Sequence, residues 1–171
     1  MMDISPAEFT GTMAEGAGFI DPPAFQPGDP EFAQRVRDSF DRQAFMATLG
    51  VRLADIAPGR CDLEIPYRAD LCQQNGFLHA GVTAALADSA AGYAAYTVMP
   101  ADSDVLSIEF KHNLLAPAVG ERFLARGQVH RAGRTIVVVQ STVLAERDGR
   151  RKVVALMQAT MMRVQASASK E

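Results

Sequence analysis

The spacing of apolar positions changes twice along the chain. From residue 32 to 49, Phe32, Val36, Phe40, Phe45 and Leu49 recur at helical spacing, which predicts one amphipathic helix. Asp29-Pro30-Glu31 supplies a start, with an acceptor side chain ahead of a proline of fixed φ, and Gly50 supplies a stop. The period then falls to two. Cys61, Leu63 and Ile65 alternate with Asp62 and Glu64, and Val51–Ile56 faces them across Ala57-Pro58-Gly59. This predicts a hairpin with one dry and one wet face. Residues 66–76 are polar and loop-like. Ala80–Val98 is apolar on nearly every side and closes at Pro100, which predicts a buried helix about 28 Å long.

The last third alternates throughout. One strand is read at Leu106, Ile108 and Phe110 and a second at Phe123, Ala125, Gly127 and Val129. Two more run over Thr135–Glu146 and Lys152–Arg163. Turns at Arg131-Ala132-Gly133-Arg134 and Asp148-Gly149 join the later ones. Four successive strands predict an antiparallel meander, and the single buried helix must be wrapped by it, an α+β arrangement. The later strands are apolar on both faces, with Val137, Val139 and Val143 on one and Ile136, Val138 and Leu144 on the other. One face covers the helix; the second needs a partner, so self-association is expected, as a dimer or a dimer of dimers. Residues 1–30, with prolines at 6, 22, 23, 27 and 30, read as an extended or mobile arm. Residues 165–171 read as a polar tail, which leaves 31–164 as one domain.

Composition narrows the function. The 171 residues suit a single domain, and 17 basic against 20 acidic residues give a net charge of −3. That balance argues against a nucleic-acid or basic membrane-surface protein. Cys61 and Cys72 form no CxxC, and the three histidines form no HxxxH, so neither a structural metal nor a disulfide scaffold is expected. The stretch from Gly76 to Met99 is interrupted by Asp88 and lacks basic flanks, which argues against a membrane span. The first twenty residues lack the basic start of a secretion signal, and the cytosol is the expected compartment.

Candidate chemistry concentrates between Gln73 and Asp88. Asp88 is a carboxylate among Ala84, Ala85, Ala87, Ala91 and Gly92, where it loses hydration unless donors compensate. It could face solvent, make a buried structural hydrogen bond, or do chemistry. Gly76 and Gly81 permit close backbone approach or are simply turn and packing residues. The helix start near Ala80 presents unpaired N–H groups and a positive dipole end, which suits a developing oxyanion. Phe77, Leu78, Tyr93 and Tyr96 either line an acyl tunnel or belong to the core.

The run His79-Ala80-Gly81, six residues and then Asp88, with Gly76 ahead of it, resembles the His-Gly-Gly-(six)-Asp signature of hotdog-fold thioesterases. It resembles most the PaaI-like (phenylacetic acid degradation) acyl-CoA thioesterases. Val105–Phe110 followed by Asn113-Leu114-Leu115-Ala116-Pro117, then Gly120 and Arg131–Thr135, match later strands and turns of that family. The resemblance spans about residues 51–164. It implies a hotdog fold, an antiparallel sheet wrapped around one long helix, and hydrolysis of a medium-chain or aryl acyl-CoA. No cofactor is implied beyond the coenzyme A of the substrate.

By the same resemblance Asp88 is the general base or nucleophile, and the Ala80 N–H polarises the thioester carbonyl. Gln73 stands where many members carry an asparagine that places water or substrate. His79, Gly81, Asn75 and Ser107 line the substrate site, with Ser107 on the strand facing the helix. Lys111 and Arg134 are candidates for the coenzyme A phosphates. Two departures stand out: Ala80 replaces the first glycine, and Gln73 replaces asparagine with a longer reach. The family also builds each site from two subunits, so Asp88 of one chain would face Gln73 and Ala80 of another. Two other functions use the same scaffold. One is a non-catalytic acyl-thioester-binding protein, a sensor or partner. The other is a hydratase, which pairs Asp and His about five positions apart rather than the nine seen here.

Overall fold

The structure, a computed structural model, describes residues 23–166. Most of the expected arm therefore lies outside the described residues, and its last part is pinned rather than free. Gly28 N–H donates to Thr97 O at 3.2 Å, and a Cβ on Gly28 would stand 2.4 Å from the Met99 carbonyl carbon. The one helix expected after it is two, α1 (Phe32–Asp41) and α2 (Ala44–Leu49). The Arg42 and Gln43 N–H groups turn back to Ser39 O and Phe40 O, a tighter closure that ends the first helix, and Gln43 then leaves helical geometry. The break rotates the second helix. Met46 becomes buried and Phe45, expected on the inner face, is 57% exposed. Gly50 ends α2 at φ 76°, a backbone conformation that favours glycine.

The hairpin forms as the alternation predicts, with β1 (Arg52–Ala57) and β2 (Arg60–Pro66). The buried helix is α3 (Ala80–Tyr96), and β3 (Ser103–Leu114), β4 (Arg122–Ala132), β5 (Ile136–Arg147) and β6 (Arg150–Gln165) follow. All six strands join one antiparallel sheet in the order β1-β2-β4-β5-β6-β3. The expected four-strand meander is thus corrected: only β4, β5 and β6 are consecutive neighbours, while β3 sits beyond β6 and β2 takes the place beside β4. The cause is the connection after β3. Seven residues separate β3 from β4, and they cross the start of α3, where Leu78 N–H donates to Ala118 O at 3.1 Å, instead of folding into a tight turn.

The sheet wraps α3 as a hotdog fold requires. Val137, Val139 and Val143 point at the helix and are buried, whereas Val138 and Leu144 face outward and are only half-buried. The helix rests on the sheet at very short range. Ala87, Ala90, Ala91 and Ala94 are fully buried, Ser141 Oγ donates to Ala87 O at 2.8 Å, and a Cβ on Gly127 would lie 2.2 Å from Ala90 O. The far end of α3 is held by α1. The Arg35 guanidinium donates to Tyr96 O, Met99 O and Pro100 O at 3.0, 2.7 and 2.7 Å, pairs with Asp29 at 3.2 Å and lies 4.2 Å over the Tyr96 ring. One side chain thus ties together the carbonyls of the helix end and of the turn after it, two of which, Tyr96 O and Pro100 O, also accept backbone N–H groups.

Two substitutions test this packing. Gly127→Ala must push α3 off the sheet and is expected to cost about 2–3 kcal/mol, read as a fall in the urea midpoint. Arg35→Ala removes three charge-assisted bonds and is expected to cost about 3 kcal/mol. Arg35→Lys should recover little of it, because a compact ammonium lacks the planar fork that reaches several carbonyls.

Candidate active site

Two polar places bear on the expected chemistry. The first is the start of α3. Its approach is a tight turn in which Gln73 N–H donates to Phe77 O and Gly76 N–H to Gln73 O, both at 2.9 Å, with Gly76 at φ 81°. The Gln73 side-chain oxygen accepts from the Asn75 N–H, which ties Asn75's backbone into the turn. His79 is the N-cap: its Nδ1 accepts from Gly81 N–H at 2.9 Å, a task more often given to serine, threonine or aspartate. Gly81's N–H is therefore occupied, and among the described residues no acceptor takes the Ala80 N–H. That donor, at the positive end of a 17-residue helix, is available to a ligand oxygen. Gln73, Ala80 and Thr83 line a hollow of about 140 Å³ with Phe77, Leu114 and Val154.

Beneath this helix start sits His112 of β3. Its Nε2 lies 3.1 Å from Thr83 Oγ1, which also donates to Ala80 O at 2.9 Å. Burial pushes the His112 imidazole below its ordinary range, so the neutral form is favoured there. The contact fixes the first turn of α3 to the edge strand. The alternation of β3 places His112 on the helix side, but nothing in the sequence alone ties it to Thr83.

The second place is halfway along α3. Asp88 is half-buried, and Ser107 Oγ of β3 donates to one of its carboxylate oxygens at 2.7 Å. Ser107 keeps the inward phase of buried Ser103 and pairs with buried Met161, and the bulge that follows, between Ser107 and Glu109, shifts the phase so that His112 also faces the helix. Asp88 and Ser107 border a cleft of about 330 Å³ whose other walls are Ser89, Gly92 and Tyr93 of α3, Asp104 and Val105 of β3, and Ser39, Arg42 and Gln43 at the α1–α2 corner. Burial raises the Tyr93 hydroxyl above its ordinary range, which keeps it a donor. The Tyr93 ring meets Phe40 edge-on at 5.7 Å. Of the possible tunnel residues only Tyr93 reaches this cleft; Phe77 lines the hollow at the helix start with Leu78, and Tyr96 packs under Arg35.

One chain keeps the two places apart. Ala80 and Asp88 are eight residues distant on the same helix, about 12 Å, too far to act on one carbonyl. Lys111 and Arg134 are also separated. Lys111 pairs with Gln158, whereas Thr135, beside Arg134, bonds to Arg163 five residues further along β6, a distance of about 17 Å along the strand. Both side chains are exposed. Ser39, Arg42, Gln43 and Asp104 were not legible as site residues, because nothing in the helical spacing around residue 40 tells where that corner docks.

Comparison with known proteins follows the same geometry. A sequence model of the thioesterase superfamily matches residues 75–152, from the turn before α3 to the start of β6. A candidate esterase of Saccharolobus solfataricus is 36% identical over 92 residues, covering 54% of this chain and 65% of that protein, just under two thirds of its length. The crystal structure of a thioesterase family protein from Silicibacter pomeroyi superposes with a TM-score of 0.78 at 50% identity, covering 79% of this chain and 99% of that one. The PaaI protein of the E. coli phenylacetic acid degradation operon shares the fold, with a TM-score of 0.72 at 19% identity over 80% of this chain and 96% of that one. With half its aligned residues shared with one such protein, and the same helix wrapped by the same sheet, the chain belongs to the thioesterase superfamily and has its hotdog fold.

Proposed function

We propose that the chain is an acyl-CoA thioesterase in which Asp88 attacks, or activates water to attack, the thioester carbonyl. The observation that carries this reading is the Ser107–Asp88 hydrogen bond at 2.7 Å on the border of a cleft. One carboxylate oxygen is oriented by the hydroxyl, which leaves the other to take a proton from water or to attack directly. The Ala80 N–H, left without an acceptor by the His79 cap, supplies the donor for the oxyanion of the tetrahedral intermediate. When that intermediate collapses, the carbon–sulfur bond breaks and coenzyme A leaves as the thiolate. Gln73, beside Ala80, places the water or the carbonyl, and Lys111 and Arg134 serve the coenzyme A phosphates from separate chains.

The 12 Å between donor and carboxylate requires a second copy. Edge strand β3 offers the surface, with Leu106, Ile108, Phe110, Leu114 and the adjoining Leu115 between 48% and 58% exposed. Edge-to-edge pairing there would satisfy the open strand and set two α3 helices side by side, each Asp88 near the other's helix start. The outward Val138 and Leu144 would be covered by a second dimer. The sheet beyond them carries ion pairs between strands, such as Arg126 with Asp62 at 2.6 Å.

Thiol release from acyl-CoAs by the purified chain tests the activity. Asp88→Asn should leave the fold intact and lower hydrolysis at least about a hundredfold, and Ser107→Ala should lower kcat less, with KM little changed. A binding-only protein would release no thiol in any of these assays. Mixing inactive Asp88→Asn chains with Gln73→Ala chains should restore part of the lost rate if each site draws on two copies. A fully active monomer by mass measurement would overturn both the pairing and the shared site.

A further inference from the structure

The cleft beside Asp88 continues away from the reacting carboxylate to a wall that the superfamily match at residues 75–152 does not include. That wall is the α1–α2 corner. Arg35, Ser39 and Arg42 fall four and three residues apart, on one face of the helix. Arg35 clamps the end of α3, Ser39 Oγ meets the Tyr93 hydroxyl at 3.5 Å, and Arg42 lines the cleft. The corner is thus held at two points of α3 before any ligand arrives.

Its chemistry is polar. Arginines at 35, 52, 60, 68, 122, 126, 147, 151 and 163 each pair with a carboxylate, whereas among the described residues Arg42, like Arg37, Arg131, Arg134 and Arg150, pairs with none. Next to it, Gln43 Oε1 is buried without a hydrogen-bond partner. The cleft therefore ends on an uncommitted guanidinium and two hydroxyls, with the Asp104 carboxylate on its β3 wall and, of its described lining residues, only Val105 and Gly92 without a polar side chain. A saturated alkyl chain entering it would strip water from these groups and return nothing, at a cost of about 1–3 kcal/mol for each one left unpaired. The phosphates of coenzyme A are not the match, because the pantetheine arm holds them far beyond a cleft that starts at the reacting carboxylate.

We propose that the α1–α2 corner is a specificity wall that selects compact acyl groups ending in an oxygen, bound by Arg42 and flanked by Ser39, Gln43 and Tyr93. This deepens the thioesterase reading and rests on it for the reaction. A terminal carboxylate would take Arg42 alone. A terminal hydroxyl would accept from Arg42 and could donate to the Asp104 carboxylate, which lines the same cleft, since it carries both functions.

The test uses six-carbon CoA thioesters ending in methyl, hydroxyl or carboxylate, with initial rates for the full chain. Calorimetric binding of the matching non-hydrolysable thioether analogues provides a second readout. The expected result is a preference of about tenfold or more for one or both oxygen-terminated ligands over the methyl-terminated one. Whether hydroxyl or carboxylate leads identifies the group. Arg42→Ala should collapse that ratio, and Arg42→Lys, which keeps the charge, should retain part of it. Equal or better binding of the methyl-terminated ligand would overturn the proposal, and so would a ratio unmoved by Arg42→Ala. If no thioester is hydrolysed but the analogues still bind with the expected preference, the reaction assignment fails and the wall stands.

Discussion

The contact on which the molecule depends is the approach of α3 to the sheet at Gly127. A single methyl group there would collide with the Ala90 carbonyl at 2.2 Å, so helix and sheet touch backbone to backbone. Such a short range is possible only with a helix of small side chains, and Ala87, Ala90, Ala91 and Ala94 provide it. The helix then has little apolar bulk of its own to bury, and its stability comes from this fit and from its tied ends. Arg35 holds one end, and the His79 cap with the Thr83–His112 contact holds the other.

A helix fixed in this way cannot slide or roll, and that is what gives Asp88 a definite address. It lies one residue past Ala87, whose carbonyl accepts from Ser141 in the middle of the sheet, and so projects toward the edge strand rather than into the core. There it meets Ser107 at 2.7 Å. A carboxylate deeper in the alanine surface would lack a donor and would be costly to ionise; one on the far side would sit in bulk water. The same rigidity leaves the Ala80 N–H and the Asp88 carboxylate on separate turns of one rod, which is why the proposed reaction would draw on a second copy rather than on a bend in the helix.

Much of this was readable from residue patterns. Alternation located the strands, most plainly β4 and β5, whose inward positions are buried, and the alanine-rich run with a lone carboxylate located both the buried helix and its charge. Strand order was not readable: alternation reports faces, not neighbours, so nothing in Leu106–Phe110 indicated that β3 pairs with β6 rather than β4. The broken helix was missed for a related reason. Phe45 keeps the apolar spacing, but the tight closure at Arg42 and Gln43 changes the phase, and Met46, equally apolar, takes the inward place. For the site, Asp88 stood out as a lone carboxylate in an alanine-rich helix, whereas Gln73 and Ser107 were named only through the resemblance to hotdog thioesterases. Arg42 and Gln43 look like ordinary solvated polar residues until the fold carries them to the cleft.

That last difference reflects how the chain divides its labour. The segment that resembles the superfamily contains the groups that would act on a thioester carbonyl, a chemistry that does not depend on what the acyl group is. The added helices before it touch α3 at its closed end and again at Tyr93. Their corner forms a wall of the cleft that opens beside Asp88. Because Arg35 and Arg42 share one face of α1, the clamp that stabilises the fold also sets the position of that wall. Loosening the clamp would therefore blur selection among acyl groups more than it displaced the carboxylate, since the sheet contact at Gly127 and the Ser107 bond also hold Asp88's part of α3.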